Sequence, residues 1–319
     1  MSASFDIAIC ICTYNRYDLL PKAIESALAQ RYEADHWRVL VIDNSPDERR
    51  AREEAAKYKA EQNLSYIVER TAGLSHARNV GAAACDARYI AFMDDDAIAD
   101  PDWLTKLMEA FQSGAAIGAV GGRVDPIWPV VQPAWVTDRM EGALSIINWG
   151  GALRPLGSKE WLAGTNIAFD VSTLLASGGF QTSLGRIGSG LTLLSNEESA
   201  VVEYLASHNF QVLYAPEAVV QHLVDHRRLT KSWFRKRAAW QAASDFLKDP
   251  EHVDGRAAQY WDNVVERFGR MPPVDRTPRG FFVDTDDAAE FQLQLDSIYN
   301  MTVALLAGHS LTPSGDARS

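Results

Sequence analysis

The stretch Tyr89-Ile90-Ala91-Phe92-Met93-Asp94-Asp95-Asp96 decides how this chain is read. Five apolar residues that give way to three acids describe a short buried strand whose carboxyl end meets a polar rim. Toward the N-terminus three more apolar runs occur, at residues 6–13, 37–42 and 64–68. Between them lie helical patterns at residues 19–30, 48–62 and 75–84, and a fourth follows at 101–111 with Pro101 in its first turn. Strands alternating with helices predict βαβ units and a mostly parallel sheet. Ligands of such sheets bind beyond the carboxyl ends of the strands. Three polar clusters collect on that rim: Thr13-Tyr14-Asn15, Asp43-Asn44-Ser45 and Asp94-Asp95-Asp96.

Side chains alternate along a strand, so Asp94 and Asp96 share a face. Two carboxylates aimed together repel unless a cation neutralises them. A hard divalent ion, Mn2+ or Mg2+, takes one or two carboxylates and completes its shell with phosphate oxygens and water. The plainer alternative is an acidic turn ahead of the helix at Pro101. On a rim with two other polar clusters, metal or substrate binding is the expectation.

The 319 residues, 47% hydrophobic and 23% charged, fit an ordinary globular chain of one large or two modest domains. No apolar run approaches the roughly 20 residues that span a bilayer. The start, MSASFDIAICIC, has no basic stretch ahead of its apolar run, so no secretory signal is expected. Cys10, Cys12 and Cys85 form no paired framework and read as structural thiols. These features place the chain in the cytoplasm, with the inner face of the cytoplasmic membrane as a second station. A net charge of -11 disfavours nucleic acid as a partner. A diphosphate ligand therefore needs local cations. Arg227, Arg228, Lys231, Arg235, Lys236 and Arg237 offer such a supply, or else a solvated helix face.

Beyond residue 122 the alternation stops. Residues 125–159 read as irregular, 197–207 as a helix, 211–214 and 218–221 as short strands, and 230–247 as a basic, aromatic helix. There Trp233, Arg237 and Trp240 share one side, as a core stripe or as contact with an anionic leaflet. Residues 250–279 read as polar and loosely packed, and 290–307 as a last helix. Glu197-Glu198 opens a helix, where acids suit the dipole or serve as a general base. Gly73 to Asn79 joins a glycine turn to a helix start fit for an anion, and Arg78 there can hold a phosphate or pair with the acidic triplet. His222 ends an apolar run, as a structural histidine or a third metal ligand. No P-loop, dinucleotide fingerprint, H-E-x-x-H or G-x-S-x-G motif occurs.

Seven segments in order resemble the family 2 glycosyltransferases: CTYNR (12–16), VIDNS (41–45), GLSHARN (73–79), FMDDDA (92–97), WLAGTN (161–166), NEE (196–198) and QH (221–222). The resemblance covers residues 5–240. It implies the GT-A fold, a Rossmann-like, mostly parallel central sheet flanked by helices, here with a mainly helical C-terminal extension. Residues 1–248 would form the transferase domain, with 1–124 binding the nucleotide sugar and 125–248 the acceptor, and 249–319 the extension. It further implies an inverting enzyme that moves a sugar from a nucleotide-sugar donor, UDP-linked ahead of GDP- or dTDP-linked, to a hydroxyl of a glycan, lipid-linked or small-molecule acceptor, as in polysaccharide or glycolipid synthesis.

By the same resemblance Thr13, Tyr14, Asn15 and Arg16 line the nucleotide pocket, and Asp43 with Asn44 meets base or ribose. Arg78 neighbours the diphosphate, and Asp94 and Asp95 face the donor. Asp96, with Asp94 and His222, holds Mn2+ or Mg2+. Gly164, Thr165 and Asn166 form the wall where donor sugar and acceptor meet, and Arg227 and Arg228 belong to a loop closing over the diphosphate. Glu198 maps to the base; the family more often carries Asp there, which leaves Glu197 as the alternative. The rival readings are a retaining transferase, a donor-binding scaffold without catalysis, and a nucleotidyltransferase.

Overall fold

A computed structural model describes residues 5–186 and 193–310. The first half alternates as expected: β1 (Phe5–Thr13), α1 (Leu20–Leu28), β2 (Trp37–Asp43), α2 (Glu48–Ala56), β3 (Leu64–Val68), α3 (Leu74–Ala84), β4 (Ala87–Asp94), β5 (Ala97–Ala99) and α4 (Trp103–Gln112). Then come β6 (Ile117–Ile127), α5 (Asp138–Glu141), β7 (Arg154–Pro155), β8 (Ile167–Asp170), α6 (Val171–Ala176), α7 (Glu197–Ser207) and β9 (Gln211–Leu223). The C-terminal part is helical: α8 (Lys231–Lys248), α9 (Pro250–Asp254), α10 (Ala257–Arg270) and α11 (Ala288–Ser310).

The strands form one sheet in the order β3-β2-β1-β4-β8-β6-β9-β5, with β7 on β9. β3, β2, β1 and β4 pair in parallel. Past β4 the sheet is mixed: β8 runs antiparallel to both neighbours, β6 and β9 pair in parallel, and β5 returns antiparallel on β9. β1 shows why the sheet forms. Ile7, Ile9 and Ile11 face one core with Leu20 and Ile24 of α1 and Trp103, Leu104 and Leu107 of α4. Cys10 and Cys12 face the other, with Ala77 of α3, Leu174 of α6 and Leu205 of α7. Burying each large aliphatic side chain contributes roughly 1.5–3 kcal/mol, so a strand apolar on both faces commits to the sheet centre. A Cβ on Gly81 would run into Cys10 Sγ, so the small thiol and the glycine together seat α3 on β1.

Several local expectations need correction. Residues 211–214 and 218–221 belong to one continuous strand, β9. α2 stops at Ala56, and turns carry the chain to β3. β6 has no counterpart in the sequence reading, and its last residues, 125–127, fall in the stretch expected to be irregular; its glycines are there for space rather than for turning. A Cβ on Gly122 would overlap the Ala218 carbonyl oxygen, and one on Gly121 would overlap Leu162. Residues 250–279 carry two helices, α9 and α10, and are mostly exposed as expected, with Val253 and Val264 buried.

The chain divides into two compact units. One comprises Met1–Ile127, Ser145–Leu191 and Glu197–Val224; the other Trp128–Leu144, Thr192–Asn196 and Asp225–Ser319. The boundary expected at residue 248 thus falls inside the second unit, where α8 packs against α11: Trp135, Phe234 and Phe291 meet edge to face, and Ala242, Val253 and Val303 form a small core. Among the described residues no helix is long and apolar enough to cross a membrane.

Candidate active site

The acidic triplet follows β4 in the first unit, beside the carboxyl end of β1. Asp94 closes β4 and the turn Asp95-Asp96 leads into β5. β5 pairs antiparallel with β9 in the register Ala97↔His222, which brings His222 beside Asp96. His222 Nε2 stands 3.3 Å from Asp96 Oδ1. Asp94, Asp96 and His222 each offer one ligand atom, and these atoms lie within 4.8 Å of one another. Asp96 and His222 are buried, Asp94 partly exposed. Among the described residues His222 Nδ1 is buried without a hydrogen-bond partner.

Two arginines partition the acids. Arg16 reaches Asp95 Oδ1 at 3.0 Å and Asp96 Oδ2 at 2.7 Å, its own side chain 31% exposed. Thr13 Oγ1 donates to Asp95 Oδ2 at 2.7 Å. Burial pushes the Asp95 carboxyl up to about 7, against the pull of Arg16 and with Asp96 adding to the rise. Arg78, on the buried face of α3, is 2% exposed. Its Nη1 donates to Glu197 Oε1 at 3.0 Å and to Glu198 Oε1 at 2.8 Å, and its Nη2 reaches Asp94 Oδ1 at 3.5 Å. The guanidinium also rests over Phe92 and Phe180, 6.0 and 5.6 Å from the ring centroids. Burial works against both guanidinium charges, but the acids prevail and raise both arginines above their usual range. Burial, then the charge of Glu198, pushes Glu197 up to about 7 despite Arg78. Five carboxylates around two guanidiniums leave an excess of negative charge, and that excess is what a divalent cation neutralises.

The remaining expected residues divide. Asp94 N–H donates to Thr165 Oγ1 at 3.4 Å, and Gly164 lies against the Arg78–Glu198 pair. Tyr14 is partly exposed and Asn15 exposed at φ +57°, with Asn15 N–H donating to Ser45 Oγ at 2.8 Å. Asp43, expected to meet base or ribose, is 0% exposed. Its Oδ2 accepts from Tyr17 and Tyr66 at 3.0 and 2.8 Å, and its Oδ1 accepts from the N–H and Oγ of Ser45. It fixes the end of β2 rather than presenting an oxygen. Asn44 ties down the next loop by donating to Gly73 O and Thr71 O. Asn166, expected in the wall, turns inward: it accepts from Trp103 Nε1 and donates to Arg123 O and Ala218 O, each at 2.8 Å. A fully buried amide must satisfy both ends, and here it stitches β6, β8 and β9 to α4. Arg227 and Arg228 lie in the second unit, where Arg227 pairs with Asp225. Sequence reading missed that Arg16 engages the triplet and that Glu197 anchors Arg78; both pairings join residues far apart in the chain. At the N-terminus of α3, where an anion site was expected, a cavity of about 180 Å³ is lined by Thr71, Gly73, Ser75, His76, Thr182 and Leu184, among others.

The profile of "Glycosyl transferase family 2" matches residues 8–168. A glucosyl-dolichyl phosphate glucuronosyltransferase of Haloferax volcanii is 26% identical over 316 residues, covering 97% of each chain. The succinoglycan biosynthesis protein ExoM of Rhizobium meliloti is 28% identical over 235 residues, 72% of this chain and 71% of its own. Among solved structures, the mannosyltransferase PcManGT from Pyrobaculum calidifontis, in complex with GDP-Man and Mn2+, shares the fold with a TM-score of 0.55 at 18% identity, over 97% of this chain and 76% of that one. The profile match spans half of the chain and covers β1 through β4 with the acidic triplet, and so the protein belongs to glycosyl transferase family 2 and is a glycosyltransferase.

Proposed function

We propose that the protein transfers a sugar, with inversion, from a nucleoside-diphosphate donor to an acceptor hydroxyl, using a divalent cation and one carboxylate base. The observation that carries this reading is the placement of Asp94, Asp96 and His222 within 4.8 Å, with Arg78 linking Asp94 to Glu198. Asp94, Asp96 and His222 would hold Mn2+ or Mg2+, which when bound neutralises charge on the departing nucleoside diphosphate. The donor set fits: two oxygen ligands and an imidazole suit Mn2+, and the local excess of carboxylates calls for a cation.

Glu198 is the base in this reading rather than Glu197. The Glu197 side chain is 4% exposed and locked on Arg78, whereas Glu198 is 15% exposed and Arg78 engages only its Oε1. Glu198 takes the proton of the attacking hydroxyl while Arg78 keeps its carboxylate oriented. Direct displacement needs one base and no carboxylate nucleophile, so the anomeric configuration inverts. A retaining route remains the rival, and the anomeric proton of the product separates the two by NMR.

No order is set among UDP, GDP and dTDP, since Asp43 has its oxygens engaged by protein donors. The Haloferax relative acts, by its name, on glucosyl-dolichyl phosphate, so lipid-linked sugars lead the acceptor choices. The test is release of nucleoside diphosphate from UDP- and GDP-hexoses with such acceptors, in Mn2+ and in EDTA. Acceptor-dependent release that EDTA abolishes supports the proposal; release indifferent to metal, or none with any donor, overturns it.

A further inference from the structure

We infer that Arg78 is a positioning residue for the base, and that Gly164 is glycine because only a missing side chain lets Arg78 reach Glu198; this rests on Glu198 being the base. Gly164 sits in the turn before β8, buried, with an ordinary backbone conformation. Nothing about its φ demands glycine. Space does: a Cβ there would overlap both Glu198 Oε1 and Arg78 Nη2. Those are partners in a single pairing, 2.8 Å between Arg78 Nη1 and Glu198 Oε1, and the Gly164 Cα packs against it.

The surroundings leave Arg78 little freedom. Phe92 and Phe180 flank the guanidinium, and Glu197 takes the same Nη1 from the side. Glu197 is buried, and among the described residues one of its carboxylate oxygens has no hydrogen-bond partner. Its Oε1 lies 3.0 Å from Arg78 Nη1, so Glu197 helps to hold the arginine that meets the base. A guanidinium fixed on three sides sets the direction of the Glu198 carboxylate by clamping one oxygen and leaving the other to the acceptor. Asp94 at 3.5 Å sits on the opposite nitrogen, so the arginine that aims the base also touches the proposed metal ligands. Donor carboxylate and base are thereby kept in one frame.

The test compares Gly164→Ala, Glu197→Gln and Glu198→Gln with the wild type. Each is assayed for kcat, for KM of the donor, for Mn2+ binding by calorimetry and for thermal unfolding. Misplacing a reacting group by about 1 Å costs on the order of 10²-fold in rate. Gly164→Ala should therefore lose about that factor in kcat, with Mn2+ affinity and donor KM within about twofold of wild type. Glu197→Gln, isosteric and still an acceptor for Arg78, should lose kcat by a smaller factor and again spare Mn2+ affinity. Should Gly164→Ala fail to fold, Glu197→Gln carries the test alone. A merely structural role would lower the unfolding temperature and the donor affinity together and leave the kcat-to-KM split unmoved. Wild-type kcat in Gly164→Ala, or in Glu197→Gln, overturns the inference. Glu198→Gln keeps the two levels apart: if it is inactive while the other two are normal, the positioning inference alone fails, and if it is active, the base assignment fails first.

Discussion

The two arginines of the site differ in a way that explains the arrangement around them. Arg16 comes from the loop after β1, keeps 31% of its side chain exposed, and binds Asp95 and Asp96 from the open side. Arg78 comes from the buried face of α3, is 3% exposed, and is enclosed by Asp94, Glu197, Glu198 and two phenylalanine rings. Arg16 sits where water can share its solvation. Removing Arg78 would strand Glu197, 4% exposed, and Glu198, 15% exposed, without their cation. A rim cation and a core cation thus divide the work: one neutralises Asp95 and Asp96, the other holds geometry.

The largest effect that tests this division is on rate. Glu198→Gln should lower transfer by about 10²–10⁴-fold while nucleoside diphosphate affinity stays, measured by product formation and calorimetry. Next in size is stability. Arg78→Met should cost about 3–5 kcal/mol in urea unfolding, since it strips buried carboxylates of their partner. Arg16→Met should cost less than half of that. Mn2+ should also raise the unfolding temperature of Arg16→Met more than that of the wild type, and that of Arg78→Met no more than the wild type's. Equal costs and equal metal responses would erase the contrast between rim and core.

A smaller effect follows from Glu197. Burial and Glu198 raise its carboxyl from the ordinary 4.5 to about 7 in the folded state. A raised carboxyl favours the folded state while it is protonated, and that advantage is lost as pH rises through the folded value. In metal-free buffer the stability should therefore fall between about pH 4.5 and about pH 7, and Glu197→Gln should flatten the slope; an unchanged slope in that variant assigns the dependence to another group. The smallest effect concerns Asp43. Tyr66→Phe should cost about 1 kcal/mol through one lost hydrogen bond, with donor affinity unaltered in the same calorimetric titration. A loss of affinity there would return Asp43 to the nucleotide site.

The same rim-and-core contrast marks what the sequence makes legible. β1 through β4 are plain because their residues carry both signals at once: apolar on two faces, then abruptly polar. β6 hides because Gly118, Gly121 and Gly122 remove the β-branched pattern, and the reason for them is contact with Leu205, Leu162 and Ala218, which no local reading contains. In the site, Asp94, Asp96 and His222 could be nominated one by one, but their convergence depends on β5 pairing with the end of β9. Asp43 and Asn166 look like ligand contacts because polar residues at strand ends usually face out. Here Tyr17 and Tyr66 cover Asp43, and Trp103 reaches Asn166 through the sheet.

The central claim is that Asp94, Asp96 and His222 bind a divalent cation. Calorimetric titration of Mn2+ into the wild type, Asp96→Asn and His222→Ala, in the presence of nucleoside diphosphate, tests it most directly. The account predicts one site per chain in the wild type and affinity at least about tenfold weaker in each variant, in keeping with the loss of one ligand. Equal Mn2+ affinity in all three proteins would contradict it.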